Sequence, residues 1–188
     1  DTLSFEASID RYKFIVNSGV STYEDSDLRH FQRSTAAHST LEFNKINSSE
    51  VWKSFRVAKR ANVKILNFKN SRYEKIIKAL HDGYSKIIKS NTFHTRTITL
   101  KKKLLEIYDE INVNTGQVIV RYYLHPNIKY NGNNTFKLPS GKKIKMLNEN
   151  KFKIKKTHWY PGFGRKESNY CIECYLKKDS SKVIFYWR

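Results

Sequence analysis

Arg72-Tyr73-Glu74-Lys75-Ile76-Ile77-Lys78-Ala79-Leu80-His81-Asp82-Gly83-Tyr84 is the stretch on which the fold class turns. Tyr73, Ile76, Ile77 and Leu80 fall at i, i+3, i+4 and i+7, the spacing of one helix face, so by pattern alone residues 72–84 read as a helix. Asp82-Gly83 is also a plain turn signal. A helix here belongs to a mixed fold, whereas a strand ending at His81 belongs to an all-β one.

Outside this stretch the chain reads as short strands. Leu3, Phe5, Ala7 and Ile9 alternate with Ser4, Glu6 and Ser8, a half-buried strand. Asp10-Arg11 turns it into a second strand, 12–16, which stops at Asn17-Ser18-Gly19, so the pair reads as a hairpin. Residues 20–23 read as another short strand, 24–34 as a charged loop and 40–43 as a strand before a turn at 44–47. Trp52 and Phe55 sit three apart, in a single helical turn or a packed loop. Residues 57–68 read as one long strand with Ala61, Val63 and Ile65 on one face and Arg60, Asn62 and Lys64 on a positive outer face. Further strands are expected at 97–100, 104–111, 118–125, 144–147, 152–158, 170–176 and 183–187. Turn signals separate them at Asn114-Thr115-Gly116, Asn131-Gly132, Ser140-Gly141 and Asp179-Ser180-Ser181. Many strands at this spacing, without long helices between them, predict an all-β fold: a large antiparallel two-sheet β-sandwich with few or no helices.

Bulk properties agree. A chain of 188 residues is long enough for one ordinary domain with a real core, and its 12 Tyr and 11 Phe favour β-structure. No run of about 18 or more apolar residues encodes a membrane-spanning helix. Thirty-six Lys and Arg against 17 Asp and Glu give a net charge of +19, a field that attracts polyanions: an acidic polysaccharide, a nucleic acid or an anionic membrane surface. Scattered Lys can equally form a solvated face. Cys171 and Cys174 form a lone CxxC on a segment that reads as strand, where residues three apart point to opposite faces, so a structural role is expected.

Polar chemistry clusters between Tyr23 and Leu41. Small residues flank His38 on both sides and leave its imidazole reachable, and Arg29 and Arg33 are suited to bidentate capture of a carboxylate or sulfate. Glu24, Asp25 and Asp27 are near enough in sequence to bind these arginines internally instead. His94 and Arg96 share a strand face by period two.

The string RSTAAHST at 33–40, followed by LEFN and SSEVWKSFRV, resembles the heparinase II/III-like family of polysaccharide lyases and their relatives in bacterial polysaccharide gene clusters. So do DTLSFEASID and FIVNSGVSTYE near the start, HDGY at 81–84, the His94-Thr95-Arg96 strand, LHP at 124–126 and YPGFG at 160–164. Ser39 stands where the family usually has Asn. The resemblance implies that residues 72–81 are a strand. It also implies that the chain is a C-terminal β-sandwich over residues 1–188, cut from a longer protein whose helical toroid carries part of the active site, and that a His-rich segment precedes Asp1.

For function, the resemblance implies β-elimination on a uronic-acid polysaccharide in the periplasm or cytoplasm of a bacterium, with the fragment alone inactive. The carboxylate must be neutralised, the C5 proton removed by a base and the leaving glycosidic oxygen protonated, which are tasks for Asn, Arg, His and Tyr. His38 is the candidate catalytic residue, and Arg29, Arg33, His81, Tyr84 and Arg96 are candidate substrate contacts. In members with a structural zinc, His38 matches a ligand and Asn17 stands at an Asp ligand position, where a neutral amide is a poorer ligand than a carboxylate. The expected partners are an anionic polysaccharide and the parent protein's toroid. A non-catalytic carbohydrate-binding module in polysaccharide biosynthesis or export is the main alternative. Nucleic-acid binding is a weaker one, since no established nucleic-acid-binding motif is present.

Overall fold

Period-two alternation prevails, and the strands assemble into two antiparallel sheets. The computed structural model describes residues 2–113, 115–177 and 179–188. In chain order the strands are β1 (Ala7–Ile9), β2 (Tyr12–Val16), β3 (Leu41–Phe43), β4 (Val51–Trp52), β5 (Arg56–Val57), β6 (Val63–Asn70), β7 (Glu74–His81), β8 (His94–Lys101), β9 (Leu104–Ile111) and β10 (Val118–Leu124). They continue as β11 (Lys129–Tyr130), β12 (Thr135–Lys137), β13 (Lys143–Asn148), β14 (Lys151–Trp159), β15 (Glu167–Tyr175) and β16 (Ser180–Trp187). The helices are α1 (Asp27–Arg33) and α2 (Gly83–Ile88), with a 3-10 turn at Thr35–Ala37.

The smaller sheet runs β1-β2-β10-β15-β14, with β3 sharing the edge of β10 with β2; the larger runs β11-β12-β13-β16-β9-β8-β7-β6. The all-β sandwich expected from strand spacing is the fold observed. Its core lies between the sheets, where Phe14 of β2 meets Phe185 of β16 edge to face at 5.1 Å and Tyr122 of β10 meets the same ring at 5.6 Å. Each such buried aromatic ring contributes about 1.5–3 kcal/mol. Cys171 faces a small cluster with Val16 and Tyr123, while Cys174 faces the main core; both thiols are free.

The stretch 72–84 is a strand followed by a helix start, not one helix. Strand β7 pairs with β6 on one side and β8 on the other, so both edges of its backbone are satisfied. Its apolar residues occupy both faces, Ile77 and Ala79 inward and Ile76 and Leu80 outward, and that two-sided pattern imitates helical spacing. Asp82-Gly83 opens α2 instead of forming a plain turn. The close approach demands glycine: a Cβ at Gly83 would lie 1.9 Å from the Ser48 carbonyl oxygen.

Other boundaries differ from expectation. The first strand is confined to 7–9, and residues 20–23 are not a strand. The expected charged loop contains α1, capped by the Ser26 hydroxyl accepting from the Arg29 amide, with Asp27 in its first turn and His30 and Arg33 in its last, as the helix dipole favours. Trp52 and Phe55 lie in the β4–β5 hairpin. The single strand expected at 57–68 is two, β5 and β6, and β6 is exposed on both faces. Asp1 and the Asn114 position of the 114–116 turn lie outside the described residues.

Candidate functional site

The His38 loop is held by hydrogen bonds from every side. The Ser18 amide donates to the Ala37 carbonyl at 2.9 Å, the Ser39 amide to Asn17 Oδ1 at 2.9 Å, and the Tyr123 hydroxyl to the Ala36 carbonyl at 2.5 Å. The buried Ser39 hydroxyl donates to the Val16 carbonyl at 2.6 Å and accepts from the Tyr123 amide at 3.0 Å, tying β2 to β10. His38 Nδ1 donates to the Ser34 carbonyl at 2.7 Å, which makes Nε2 the nitrogen that carries the lone pair. Burial lowers its pKa to about 4, so the imidazole is neutral at pH 7.

The zinc expectation does not fit these residues. Asn17 Oδ1 accepts from the Ser39 amide, and among the described residues no group of three or more His, Cys, Asp and Glu side chains is placed to hold a metal ion.

Arg29 and Arg33 do not present open guanidinium forks. Arg29 Nε and Nη2 both donate to the Ser54 carbonyl, at 3.1 and 2.9 Å, and its guanidinium lies over the rings of Tyr23 and Phe55 at 5.0 and 5.6 Å. Arg33 donates to the carbonyls of Trp52 (3.2 Å), Lys53 and Arg56 (3.0 Å). The two arginines therefore pin the β4–β5 hairpin to α1, using backbone carbonyls where the sequence suggested an anion or a nearby carboxylate. Asp25 pairs with His30 instead, at 2.7 Å.

His81, Tyr84 and Arg96 lie in the interior, behind the loop. The Gly83 amide donates to His81 Nδ1 at 3.1 Å, which leaves Nε2–H to donate to His94 Nδ1 at 3.1 Å. His94 Nε2–H in turn donates to Asp109 Oδ1 at 2.6 Å. Arg96 grips the same carboxylate in bidentate fashion, Nε to Oδ1 at 2.7 Å and Nη2 to Oδ2 at 3.0 Å. Burial lowers the pKa of both histidines, that of His81 to about 2, while Arg96 and His94 hold Asp109 down at about 2 despite its burial. Arg96 Nη1 reaches on to the carbonyls of Leu3 and Ser39, at 2.8 and 2.7 Å. Tyr84 donates its hydroxyl to the Leu41 carbonyl at 2.7 Å. Substrate contact by these three would require the interior to open. In this arrangement they position the segment on which His38 sits.

Sequence reasoning missed the key member of this cluster, Asp109, since an Asp in an alternating strand reads as solvent-facing; its inward parity with Leu105, Ile107 and Ile111 was the available signal. It also missed an exposed aromatic group beside α1. Tyr23 meets Phe55 at 5.4 Å and Phe163 at 4.7 Å, both edge to face. Phe163 belongs to the 160–164 segment, which is stitched to the loop after β2 by Val20 N–H to Tyr160 O and Gly164 N–H to Ser21 O. Gly19, at φ +82°, permits that approach, since a Cβ there would lie 2.0 Å from the Tyr160 carbonyl oxygen.

The model of the family "Heparinase II/III-like, C-terminal" matches residues 1–184. No curated protein sequence matches. Among solved structures, a heparinase III gene product superposes with a TM-score of 0.76 at 16% identity, covering 98% of this chain and 30% of that one. The heparan sulfate lyase HepC from Pedobacter heparinus superposes with a TM-score of 0.73 at 19% identity, again covering 98% and 30%. The chain thus spans about 30% of the length of these structures, and at such identities the likeness is one of fold.

Proposed function

The chain belongs to the heparinase II/III-like, C-terminal family, and from that premise we propose that it is the β-sandwich through which a polysaccharide lyase contacts an anionic, uronic-acid polysaccharide during β-elimination. In that reaction a base takes the C5 proton, a C4–C5 double bond forms, and the C4–O bond breaks as the leaving oxygen gains a proton. His38 is the residue assigned to this proton traffic. The observation that best supports the assignment is its neutral imidazole, oriented by the Ser34 carbonyl on a loop fixed from below by Arg96 and Ser39. The net charge of +19 favours encounter with a polyanion. The aromatic group of Tyr23, Phe55 and Phe163 and the flanking Arg56 offer further contact area.

A non-catalytic carbohydrate-contacting module is the second reading. It is favoured by the engagement of Arg29 and Arg33 with backbone carbonyls and by the burial of His81, Tyr84 and Arg96.

The test is binding of this chain to uronic-acid polysaccharides, neutral glycans and single-stranded DNA at low and near-physiological salt, with His38→Ala and His38→Gln alongside and melting temperatures checked. The expected result is a preference for an acidic glycan that survives near-physiological salt and weakens about tenfold in both variants. Equal, salt-labile binding to every polyanion, unchanged by either substitution, overturns the proposal.

A further inference from the structure

The outer face of the larger sheet treats its lysines in two ways. On β6, β7, β8 and β16, Lys69, Lys78, Lys101 and Lys182 each reach a carboxylate: Glu74 at 2.7 Å, Glu110 at 3.7 Å, Glu74 at 3.7 Å and Glu106 at 3.3 Å. At the other end of the sheet the register places Lys129 of β11, Lys137 of β12 and Lys143 of β13 opposite one another in a single row, and Lys145 opposite Thr135 and Tyr186 in the next. These four lysines alternate with the buried Phe136, Ile144 and Met146, so they point outward, and all four are exposed. No carboxylate accompanies them: β11, β12, β13 and β16 contain no Asp or Glu, and neither do residues 111–148 as a whole. The first carboxylate across the sheet in the neighbouring row is Glu106, beyond Leu147 and Ile184, and Lys182 holds it. Among the described residues the four ammonium groups therefore have no ion-pair partner.

Like charges directly opposite on neighbouring strands are destabilising. Lysine on an edge strand guards against edge-to-edge pairing, which accounts for Lys129 on β11. It does not account for Lys137, Lys143 and Lys145, which stand on the two strands behind that edge. The row also borders a concavity. Gly141, Lys142, Lys143, Lys145, Tyr186 and Trp187 line an open cleft of about 460 Å3 where β13 begins and β16 ends. Lys137 reaches the same place, its Cε lying 3.9 Å from the position of a Cβ on Gly141. The turn between β12 and β13, closed by Gly141 N–H to Leu138 O and Leu138 N–H to Lys142 O at 2.9 Å each, holds Lys142 and Lys143 at the cleft. Lys142 is bound to Asp10 at 2.7 Å, which leaves Lys137, Lys143 and Lys145 as the unpaired cations around it.

We propose that this corner is a second, non-catalytic site that holds an anionic polysaccharide, with carboxylate or sulfate groups on Lys129, Lys137, Lys143 and Lys145 and a sugar ring against Tyr186. Charge selects an anion, because every charged side chain on this face of β11, β12 and β13 is a lysine. Repetition selects a polymer. The lysines recur about every 5 Å across the strands and about every 7 Å along β13, so a small anion meets one or two of them and a chain charged on successive sugars meets them all. Lysine is a point charge on a flexible stem, and it accepts carboxylate and sulfate alike without the fixed fork geometry of arginine. The ring of Tyr186, in register with Lys145, offers a flat face to a pyranose. The choice of a polysaccharide over another polyanion rests on the proposed function. None of these residues belongs to the His38 loop or to the strands that fix it, so the site retains the polymer and takes no part in proton transfer.

The probes are heparin and polygalacturonate, compared with neutral dextran, poly-glutamate, single-stranded oligothymidylate and phosphatidylglycerol vesicles, at near-physiological salt. Binding is read by calorimetry and by the NMR shifts of residues 129–145 and Tyr186. Lys143→Gln with Lys145→Gln removes two charges from the corner, and Lys64→Gln with Lys151→Gln removes two from exposed positions elsewhere. All four positions are exposed, so the melting temperatures should match that of the parent. One of the two acidic polysaccharides should shift the corner resonances, lose about tenfold in affinity in the corner pair and less than about twofold in the control pair, and weaken in Tyr186→Leu. The same corner loss should persist in a His38→Ala background, which separates this site from the proposed function: either can fail while the other is still measured. An equal loss in both pairs, unshifted corner resonances, a corner loss that disappears with His38, or poly-glutamate, oligothymidylate or vesicles bound at the corner as tightly as the polysaccharide would each overturn the proposal.

Discussion

The buried carboxylate of Asp109 organises the polar cluster behind the His38 loop. Asp109 sits between Arg96 and His94, and because His94 must donate to it, His81 must donate to His94, and the Gly83 amide must donate to His81. Both histidines are thereby fixed as neutral Nε2–H tautomers, and such a network tolerates the loss of no single member without leaving another buried and unpaired. The pH dependence follows. His38, His81 and His94 all have folded-state pKa values below the unfolded value of 6.5, so the unfolded chain binds more protons and stability falls as pH drops below about 6.5, through about 4 for His38. Asp109, lowered from 3.8 to about 2, contributes stability above 3.8 that is lost between those two values. Urea unfolding midpoints at pH 7, 6, 5 and 4 should decline throughout, and a flat profile between 7 and 5 would show that these imidazoles titrate normally. His81→Gln should flatten part of the decline.

At the scale of elements, the two arginines of α1 decide where the β4–β5 hairpin lies. That hairpin has only two residues in each strand and Lys53 at φ +50°, too little to hold itself. Its carbonyls are bound by Arg29 and Arg33. Arg33→Ala should therefore leave the melting temperature within a few degrees of the parent while speeding amide exchange across 51–57 and exposing Lys53 to trypsin. Unchanged exchange there would mean that Arg29 suffices. The motif around Arg33 and His38 was legible in the sequence, and so was the β2 hairpin. The use to which Arg33 is put was not, because its partners are backbone carbonyls 19 to 23 residues away, and every residue type offers the same carbonyl.

For the whole molecule, the two sheets share one core cluster, and the central pairings of β2 and β3 with β10 join segments some 75 to 110 residues apart. Such topology folds slowly, in milliseconds to seconds, and binds the sheets into one cooperative unit. Trp159 reports on the smaller sheet and Trp187 on the larger, so in a Trp52→Phe background the Trp159→Phe and Trp187→Phe variants should show fluorescence transitions coincident with circular dichroism. Separate midpoints would mean that the sheets unfold independently. The sequence by itself determined the all-β class, the strand spacing, the opposite facing of Cys171 and Cys174, and the family, since each rests on local alternation or on contiguous strings such as RSTAAHST. It left β7 ambiguous, because a strand apolar on both faces has the same spacing as a helix. Tertiary structure alone decided that His81 and Arg96 converge on Asp109, and that the apolar residues of β6 are exposed among the described residues. Both depend on which strands become neighbours and how far one sheet reaches past the other, quantities that no local pattern encodes.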